Sequence, residues 1–175
     1  MSPRFERFRR LIEPHHDAAL GFARHLCRSR ADGDDLFQEA AVRALAKLDQ
    51  LRDDALFRGW LYRVIVTVHR NRSRGAFWRR MIPFGTTDYP TTWSTDEALG
   101  GAERARIALA TLPAEQREAI VLFELEGWQV DEIAQLHDVS ESAVKSRLAR
   151  GRERLRTFYA RRAPVVAPSP LEETP

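Results

Sequence analysis

The stretch LPAEQREAIVLFELEGWQVDEIAQLHDVSESAVKSRLARGRERLR, from Leu112 to Arg156, decides the fold. Its apolar residues recur at helical spacing in three segments, which predicts three helices. Pro113 suits the first turn of the first helix, where a missing N–H costs nothing, and Gly127 ends that helix as a C-cap glycine would. The apolar side chains of this first helix are Ile120, Leu122, Phe123 and Leu125.

A short helix and a tight turn follow. Val130–His137 has the pattern of a second helix. Asp138 and Val139 form the turn, and Ser140 can cap the third helix with its side-chain oxygen. A short helix, a tight turn and a longer helix are the elements of a helix-turn-helix.

The third helix has two different faces. Val144, Leu148 and Leu155 share one side, which predicts a buried stripe. The other side begins with small residues and becomes basic, and residues 142–162 contain eight lysines and arginines against one acid. Small residues let a helix enter the major groove and cations neutralise phosphates, although the charge alone would fit a solvated helix equally well. Together with the helix and turn before it, this face favours DNA binding. The residues expected to bind DNA are Ser142, Lys145, Ser146, Arg147, Ala149 and Arg150.

Three motifs in this stretch are LP-x3-R, EGW-x3-EIA-x-L and VSES-AVKSRL-x-RGRERLR. They resemble the C-terminal DNA-binding domain of sigma-70-family factors, most of all that of the small extracytoplasmic-function (ECF) group. The resemblance covers about 45 residues and implies that the third helix binds the −35 promoter element. Asp138 stands where the family usually has glycine, and Ala143 where it usually has threonine. Because aspartate tolerates a left-handed backbone better than most residues, the turn is still expected.

The first part of the chain also has helical periodicity. The segment 4–29 is interrupted near Pro14, and the segment 32–50 has Asp32 in a position to cap it. A core stripe with a spacing of four residues is predicted for Leu36, Ala40, Ala44 and Leu48.

The string DGDDLFQEA, at 32–40, places polar side chains outside that stripe. Alone they would fit an ordinary solvated face. The string resembles the D-x-E-DL-x-QE segment with which sigma factors bind core RNA polymerase. The resemblance implies that Asp35, Gln38 and Glu39 contact core RNA polymerase.

A further helix is predicted over 57–74, with Trp60, Val64 and Val68 on its apolar side. Residues 63–80 include six arginines and no acid. Arginines interleaved with aromatic side chains suit single-stranded DNA, because phosphates meet charge and exposed bases stack. FRGWLYRV resembles the region of sigma factors that reads and opens the −10 element. The residues expected to contact that element are Arg63, Thr67, Arg70, Asn71 and Arg74.

These segments predict an all-α fold of two small helical domains, a sigma region 2 bundle and a sigma region 4 helix-turn-helix, joined by a flexible linker. The expected boundaries are 1–80 for the first domain, 81–101 for the linker and 102–162 for the second domain. The linker is rich in Pro, Gly and Thr and too long for a loop inside one compact domain. The proline-rich tail, 163–175, is expected to be disordered.

The composition excludes several other classes. Net charge is +3 over 175 residues, so the basic clusters are local. The single Cys27 excludes an internal disulfide and fits a reducing cytosol. The absence of a signal peptide and of an apolar run near 20 residues predicts a cytoplasmic protein without membrane insertion. His15, His16, His25 and Cys27 do not have zinc-site spacing, and no metal, cofactor or catalytic residue is expected.

The expected function is that of an ECF sigma factor, which directs core RNA polymerase to specific promoters and starts transcription without an enzymatic step of its own. The expected partners are core RNA polymerase, promoter DNA (double-stranded at −35, melted at −10) and, by the family resemblance, an anti-sigma factor. One alternative is a sigma-like decoy that sequesters an anti-sigma factor, but a decoy could dispense with the basic faces. Another is a conventional helix-turn-helix regulator, which would leave DGDDLFQEA and FRGWLYRV without a purpose.

Overall fold

The structure, a computed structural model, describes residues 2–81 and 100–161, with side chains for 2–73 and 100–161. The described residues are helical and contain no strand, in agreement with the all-α prediction. They form two helical units. The first unit contains α1 (Pro3–Ile12), α2 (His16–Leu26), α3 (Arg30–Ala46) and α4 (Phe57–Met81). The second unit contains α5 (Gly101–Ala110), α6 (Ala114–Ile120), α7 (Val130–His137) and α8 (Glu141–Ala160).

Helix α3 begins earlier and ends earlier than predicted. The cap is Ser29, whose Oγ accepts a hydrogen bond from the backbone N–H of Asp32 at 3.0 Å. Asp32 therefore lies in the first turn and is not the cap. After Ala46 the chain continues in a 3₁₀ turn, Leu48–Gln50, where the prediction had one continuous helix.

The core of the first unit lies between α2, α3 and α4. The predicted stripe of Leu36, Ala40, Ala44 and Leu48 is fully buried. Helix α4 runs to Met81, beyond the predicted end, and its buried side is wider than predicted because helices of both units pack on it. The buried side chains of α4 are Phe57, Leu61, Tyr62, Ile65, Val66, Val68 and His69.

The second unit has the predicted helix-turn-helix. A π-helical segment, Val121–Leu125, prolongs α6, and Gly127 ends it with a φ of 68°. Asp138 has a left-handed φ of 54°, as the turn requires, and the Oγ of Ser140 accepts a hydrogen bond from the N–H of Ala143 at 3.2 Å. Pro113 is the cap residue of α6, one position before the predicted first turn. Leu125, which belongs to the predicted apolar side of this helix, is 54% exposed.

The two units pack against each other through a continuous apolar cluster. Tyr62 on α4 and Trp128 before α7 have ring centroids 5.0 Å apart. The central part of the expected linker, 82–99, and the expected tail lie outside the described residues. The domain boundaries stay a prediction.

Candidate nucleic-acid interface

Helix α8 carries an exposed face. Val144 and Leu148 anchor the other side in the core, with 0% and 3% exposure, and this fixes which side chains point outward. Lys145 reaches only its own helix, where its Nζ lies 3.3 Å from a carboxylate oxygen of Glu141. Five of the six residues predicted for this face are exposed or nearly so, namely Ser142, Lys145, Ser146, Ala149 and Arg150.

Arg147 differs from the other five. Its side chain is 17% exposed and lies 3.0 Å from the carboxylate of Glu115. Its Nη1 also donates to Nδ1 of His137 at 3.2 Å. These two partners belong to α6 and α7, so Arg147 holds the helix-turn-helix together. Its predicted contact with DNA stays a prediction.

Three of the residues predicted to contact the −10 element lie on α4 in different surroundings. Thr67 is exposed, and its hydroxyl donates to the carbonyl of Arg63 in the preceding turn at 2.7 Å. Asn71 is exposed. Arg63 is exposed too, but its Nη2 donates to the backbone carbonyl of Gln135, in the second unit, at 2.6 Å. The side chain of Arg74 lies outside the described residues.

Arg70, the remaining member of that set, is bound to a buried carboxylate of the second unit. Its Nη2 and Nε lie 2.6 and 3.1 Å from Oε2 of Glu118, whose side chain is completely buried. Nδ1 of His69 lies 3.3 Å from Oε1, and Nε2 of His137 lies 3.5 Å from Oε2. We call these four residues the Glu118 cluster.

The carboxylate of Glu118 stays ionised although it is buried. Burial alone would raise the pKa of Glu118, but hydrogen bonds from His69 and Arg70 outweigh burial and hold that pKa below its usual range. Burial lowers the pKa of His137 to about 4, so this ring is neutral at pH 7. The carboxylate and the guanidinium therefore form a charged pair across the contact between the units, largely shielded from water.

Two further polar contacts cross between the units. Arg117, beside Glu118 on α6, donates to the carbonyl of Leu26, the last residue of α2, at 2.5 Å. The hydroxyl of Tyr62 donates to Glu126 at 2.9 Å. Sequence reasoning missed these roles. The available signal was the position of Arg117 and Glu118, two neighbouring charged residues at the start of an apolar helix. Charged residues are almost never fully buried unless they are paired, so partners elsewhere in the chain were to be expected.

The predicted polymerase-contact residues lie on one side of α3. Asp35 and Gln38 are exposed. Glu39 is half-buried and has ion pairs to Arg43 and Arg72, each at 2.6 Å. Asp35 and Gln38 are therefore accessible to a partner, whereas Glu39 is held by two arginines of its own unit.

Comparison with known proteins gives the family. The sigma-70 region 2 model matches residues 11–79, and the sigma-70 region 4 model matches residues 103–155. The ECF RNA polymerase sigma factor SigM of Mycobacterium tuberculosis is 34% identical over 148 residues, which cover 85% of this chain and 74% of SigM. The chain is an ECF sigma factor of the sigma-70 family. It is an alternative sigma factor, which directs core RNA polymerase to promoters and initiates transcription.

Other relatives of this ECF sigma factor agree. The sigma factor NccH of Alcaligenes xylosoxydans is 32% identical over 158 residues, covering 85% of this chain and 84% of NccH. The sigma factor RpoE of Bartonella quintana, solved with the anti-sigma factor NepR, shares the fold with a TM-score of 0.74 at 23% identity, over 87% of this chain and 96% of that one. CnrH, solved with the cytosolic domain of CnrY, has a TM-score of 0.63 at 27% identity, over 88% of each chain.

Two properties of the described residues bear on partners. Among them, no helix has the length and apolar character needed to span a bilayer. Nor do 2–81 and 100–161 contain a cluster of three or more histidine, cysteine or acidic side chains that could hold a metal ion.

Proposed function

We propose that α8 of this ECF sigma factor binds the −35 element in the major groove through Ser142, Lys145, Ser146, Ala149 and Arg150. The observation that carries this proposal is the exposed face of α8, small at its start and basic further on. Small side chains allow close approach to base edges, and the cations meet phosphates. Arg147 contributes by fixing α8 on α6 and α7 through Glu115 and His137.

Helix α4 is proposed to contact the melted −10 element through Arg63, Thr67, Arg70, Asn71 and Arg74. The support is the arginine-rich character of 63–80 and its likeness to the corresponding segment of sigma factors. Guanidinium groups bind phosphates in a bidentate manner and stack on bases, which suits an exposed single strand.

Core RNA polymerase is proposed to bind the side of α3 that carries Asp35, Gln38 and Glu39. The exposure of Asp35 and Gln38 supports this assignment, and Glu39 is proposed to orient Arg72, which also donates to the carbonyl of Asp35 at 3.0 Å. We infer that the chain supplies positioning only and that all covalent chemistry belongs to the polymerase. The chain is accordingly proposed to act in the cytoplasm.

An anti-sigma factor is a further proposed partner. RpoE was solved with the anti-sigma factor NepR, and CnrH with the cytosolic domain of CnrY. The decoy function is not favoured because both basic faces are present.

Run-off transcription tests the proposed function. Purified protein and core RNA polymerase would be incubated with fragmented DNA from the source genome, and the transcripts sequenced, with core polymerase alone as the control. We expect new start sites that share a −35 and a −10 element at constant spacing. A folded protein that adds no start sites would contradict the proposal.

A further inference from the structure

The cations of α8 and its C-cap residue fall into two groups. In one group each side chain lies within 3.3 Å of a carboxylate, and its members are Lys145, Arg147, Arg152 and Arg156. The other group consists of three exposed arginines, Arg150, Arg154 and Arg161. Within the described part of the chain these three form no ion pair, so their charges are available to a partner. We call them the arginine stripe.

The arginine stripe lies along one side of α8. Its members are four and seven residues apart, which places them on the same face of a helix. They line a groove of about 800 Å³ together with Thr111, Thr157 and the half-buried ring of Phe158. The groove also contains Glu153, whose carboxylate lies 2.6 Å from Arg156. The groove is therefore positively charged and has an aromatic ring within it.

A groove of this kind fits an acidic peptide with an apolar residue beside its acids. The tail, 163–175, follows α8 in the chain and contains no lysine or arginine. Its only charged residues are Glu172 and Glu173, and Leu171 precedes them. Exposed ion pairs are individually weak, but a tethered partner has an effective concentration of about a millimolar or more. Charge and tethering together favour the tail over a separate peptide.

The chain between α8 and these two glutamates is long enough for this contact. Arg150 and Arg161 are 11 residues apart, which is about 17 Å along a helix. Glu172 is a further 11 residues from Arg161, and a proline-rich chain of that length can span about 34 Å. The surplus of about 17 Å lets the chain turn back at the end of α8 and lets Glu172 reach every member of the arginine stripe.

We propose that the tail binds back onto α8, with the carboxylates of Glu172 and Glu173 paired with the arginine stripe and Leu171 in the groove beside Phe158. One member of the stripe, Arg150, also belongs to the face proposed for the −35 element. The tail therefore competes with the DNA backbone for Arg150. This competition rests on the proposed function, whereas the contact between the tail and the groove does not.

Paramagnetic relaxation enhancement tests the contact on the full-length chain without DNA. A nitroxide at Thr174→Cys, with Cys27→Ser as background, broadens the amide signals of residues close to it. At low salt we expect broadening along 150–161, back to the far end of the stripe. The double variant Glu172→Gln, Glu173→Gln should confine the broadening to the residues next to the tail. A signal pattern that this variant leaves unchanged would overturn the ion pairs.

The stripe is tested from its other side with Arg154→Gln, Arg161→Gln, which leaves Arg150 in place and should also remove the broadening near residue 150. The matched control is Arg9→Gln, Arg30→Gln, two exposed arginines of the first unit, and it should match the wild type. An equal loss in both double variants would indicate a general attraction to positive charge and would overturn the proposed groove.

A mixing experiment distinguishes the chain's own tail from that of a second copy. Spin-labelled chain is combined with an equal amount of isotope-labelled chain that carries no spin label. We expect sharp signals along 150–161 in this mixture, because the contact lies within one chain. Broadening as strong as in the singly labelled sample would place a second copy's tail in the groove and would overturn the intramolecular contact.

The competition is measured as the affinity of holoenzyme for a duplex promoter fragment found by run-off transcription. Glu172→Gln, Glu173→Gln should tighten binding by about threefold to tenfold at low salt, as expected for the loss of two exposed ion pairs. The difference should vanish at high salt, where these pairs are screened. The matched control, Glu6→Gln, Glu13→Gln, removes two exposed carboxylates of the first unit and should leave the affinity unchanged.

The two proposals fail in different ways. A tail that contacts the groove without weakening promoter binding would overturn the competition and leave the contact intact. Holoenzyme with Lys145→Ala, Arg150→Ala that binds the fragment as tightly as the wild type would overturn the −35 assignment. The relaxation measurement contains no DNA, so its result would stand in that case.

Discussion

The carboxylate of Glu118 and the guanidinium of Arg70 lie 2.6 Å apart, although 48 positions separate them in the chain. The polar contacts continue from this pair to α8. Arg147 donates to Nδ1 of His137 at 3.2 Å, and Nε2 of the same ring lies 3.5 Å from the carboxylate of Glu118 without forming a hydrogen bond. One buried carboxylate therefore links the helix proposed for the −10 element with the helix proposed for the −35 element.

The coupling between Arg70 and Glu118 should be measurable in a double-mutant cycle. Alanine at either position leaves the other partner of a buried pair uncompensated, so we expect a coupling energy of about 1–3 kcal/mol in urea unfolding. The control cycle is Glu124 with Arg152, a pair that is about 40% exposed on both sides and should couple by less than about 1 kcal/mol. Equal coupling in the two cycles would show that the Glu118 contact is not a buried pair in solution.

His137 should make stability depend on pH. Burial lowers its pKa from the ordinary 6.5 to about 4. Between these values the unfolded chain binds more protons than the folded chain, so stability is complete above pH 6.5 and is lost as the pH falls towards 4. The loss is at most roughly 3 kcal/mol.

The free energy of unfolding in urea is measured at several pH values between 4 and 6.5, and its slope against pH is the readout for His137. His137→Gln should flatten this slope, whatever the variant's absolute stability. His25→Gln should also reduce the slope, because burial lowers the pKa of His25 too. A slope that His137→Gln leaves unchanged would contradict the buried neutral ring.

Asp138 should be replaceable by glycine with a gain in stability. Its φ of 54° is left-handed, a conformation that costs a residue with a side chain about 1 kcal/mol relative to glycine. We expect Asp138→Gly to raise the melting temperature. Asp138→Ala should lower the melting temperature, and Asp138→Val should lower it further. Gly127→Ala is the reciprocal control, since Gly127 has a φ of 68° and should lose stability on substitution. A lower melting temperature for Asp138→Gly would mean that the carboxylate makes a compensating contact.

Local sequence rules predicted the helix-turn-helix well because its signals are local. Ser140 caps the helix that directly follows it, and Asp138 adopts the backbone that its position in the turn requires. The same rules chose Asp32 as a cap because it precedes an apolar run, whereas Ser29 three residues earlier makes the bond. Both residue types are good caps, and spacing alone does not distinguish them.

The contacts between the units could not be predicted in this way. The partners of Arg63 and Arg70 lie 72 and 48 positions away, and periodicity along α4 says nothing of what a distant helix will cover. An arginine stripe facing DNA and one facing another helix have the same pattern in sequence.

Core polymerase binding should depend on the exposed residues of α3. The double variant Asp35→Ala, Gln38→Ala should weaken capture of core polymerase while the fold, followed by circular dichroism, is unchanged, because neither side chain is buried. Asp34→Asn is the control, an acid on the same helix whose carboxylate is bound to Arg24 at 2.6 Å within the unit. If the control loses as much affinity as the double variant, general acidity of α3 and not these two positions would be responsible.

The salt dependence of promoter binding should reveal the contacts of α8. Lys145→Ala, Arg150→Ala removes two exposed cations, and each lost phosphate contact lowers the slope of log affinity against log salt concentration by about 0.9. For holoenzyme on a duplex promoter fragment we therefore expect a slope smaller by about 2, with weaker binding at low salt and unchanged capture of core polymerase. Arg152→Ala is the matched control: it removes one cation from the same helix, but that cation is paired with Glu124 of the preceding helix, whereas Lys145 reaches a carboxylate of α8 itself. A slope that changes equally in the control would indicate a diffuse effect of net charge, whereas a change confined to the double variant would place Lys145 and Arg150 on the DNA backbone.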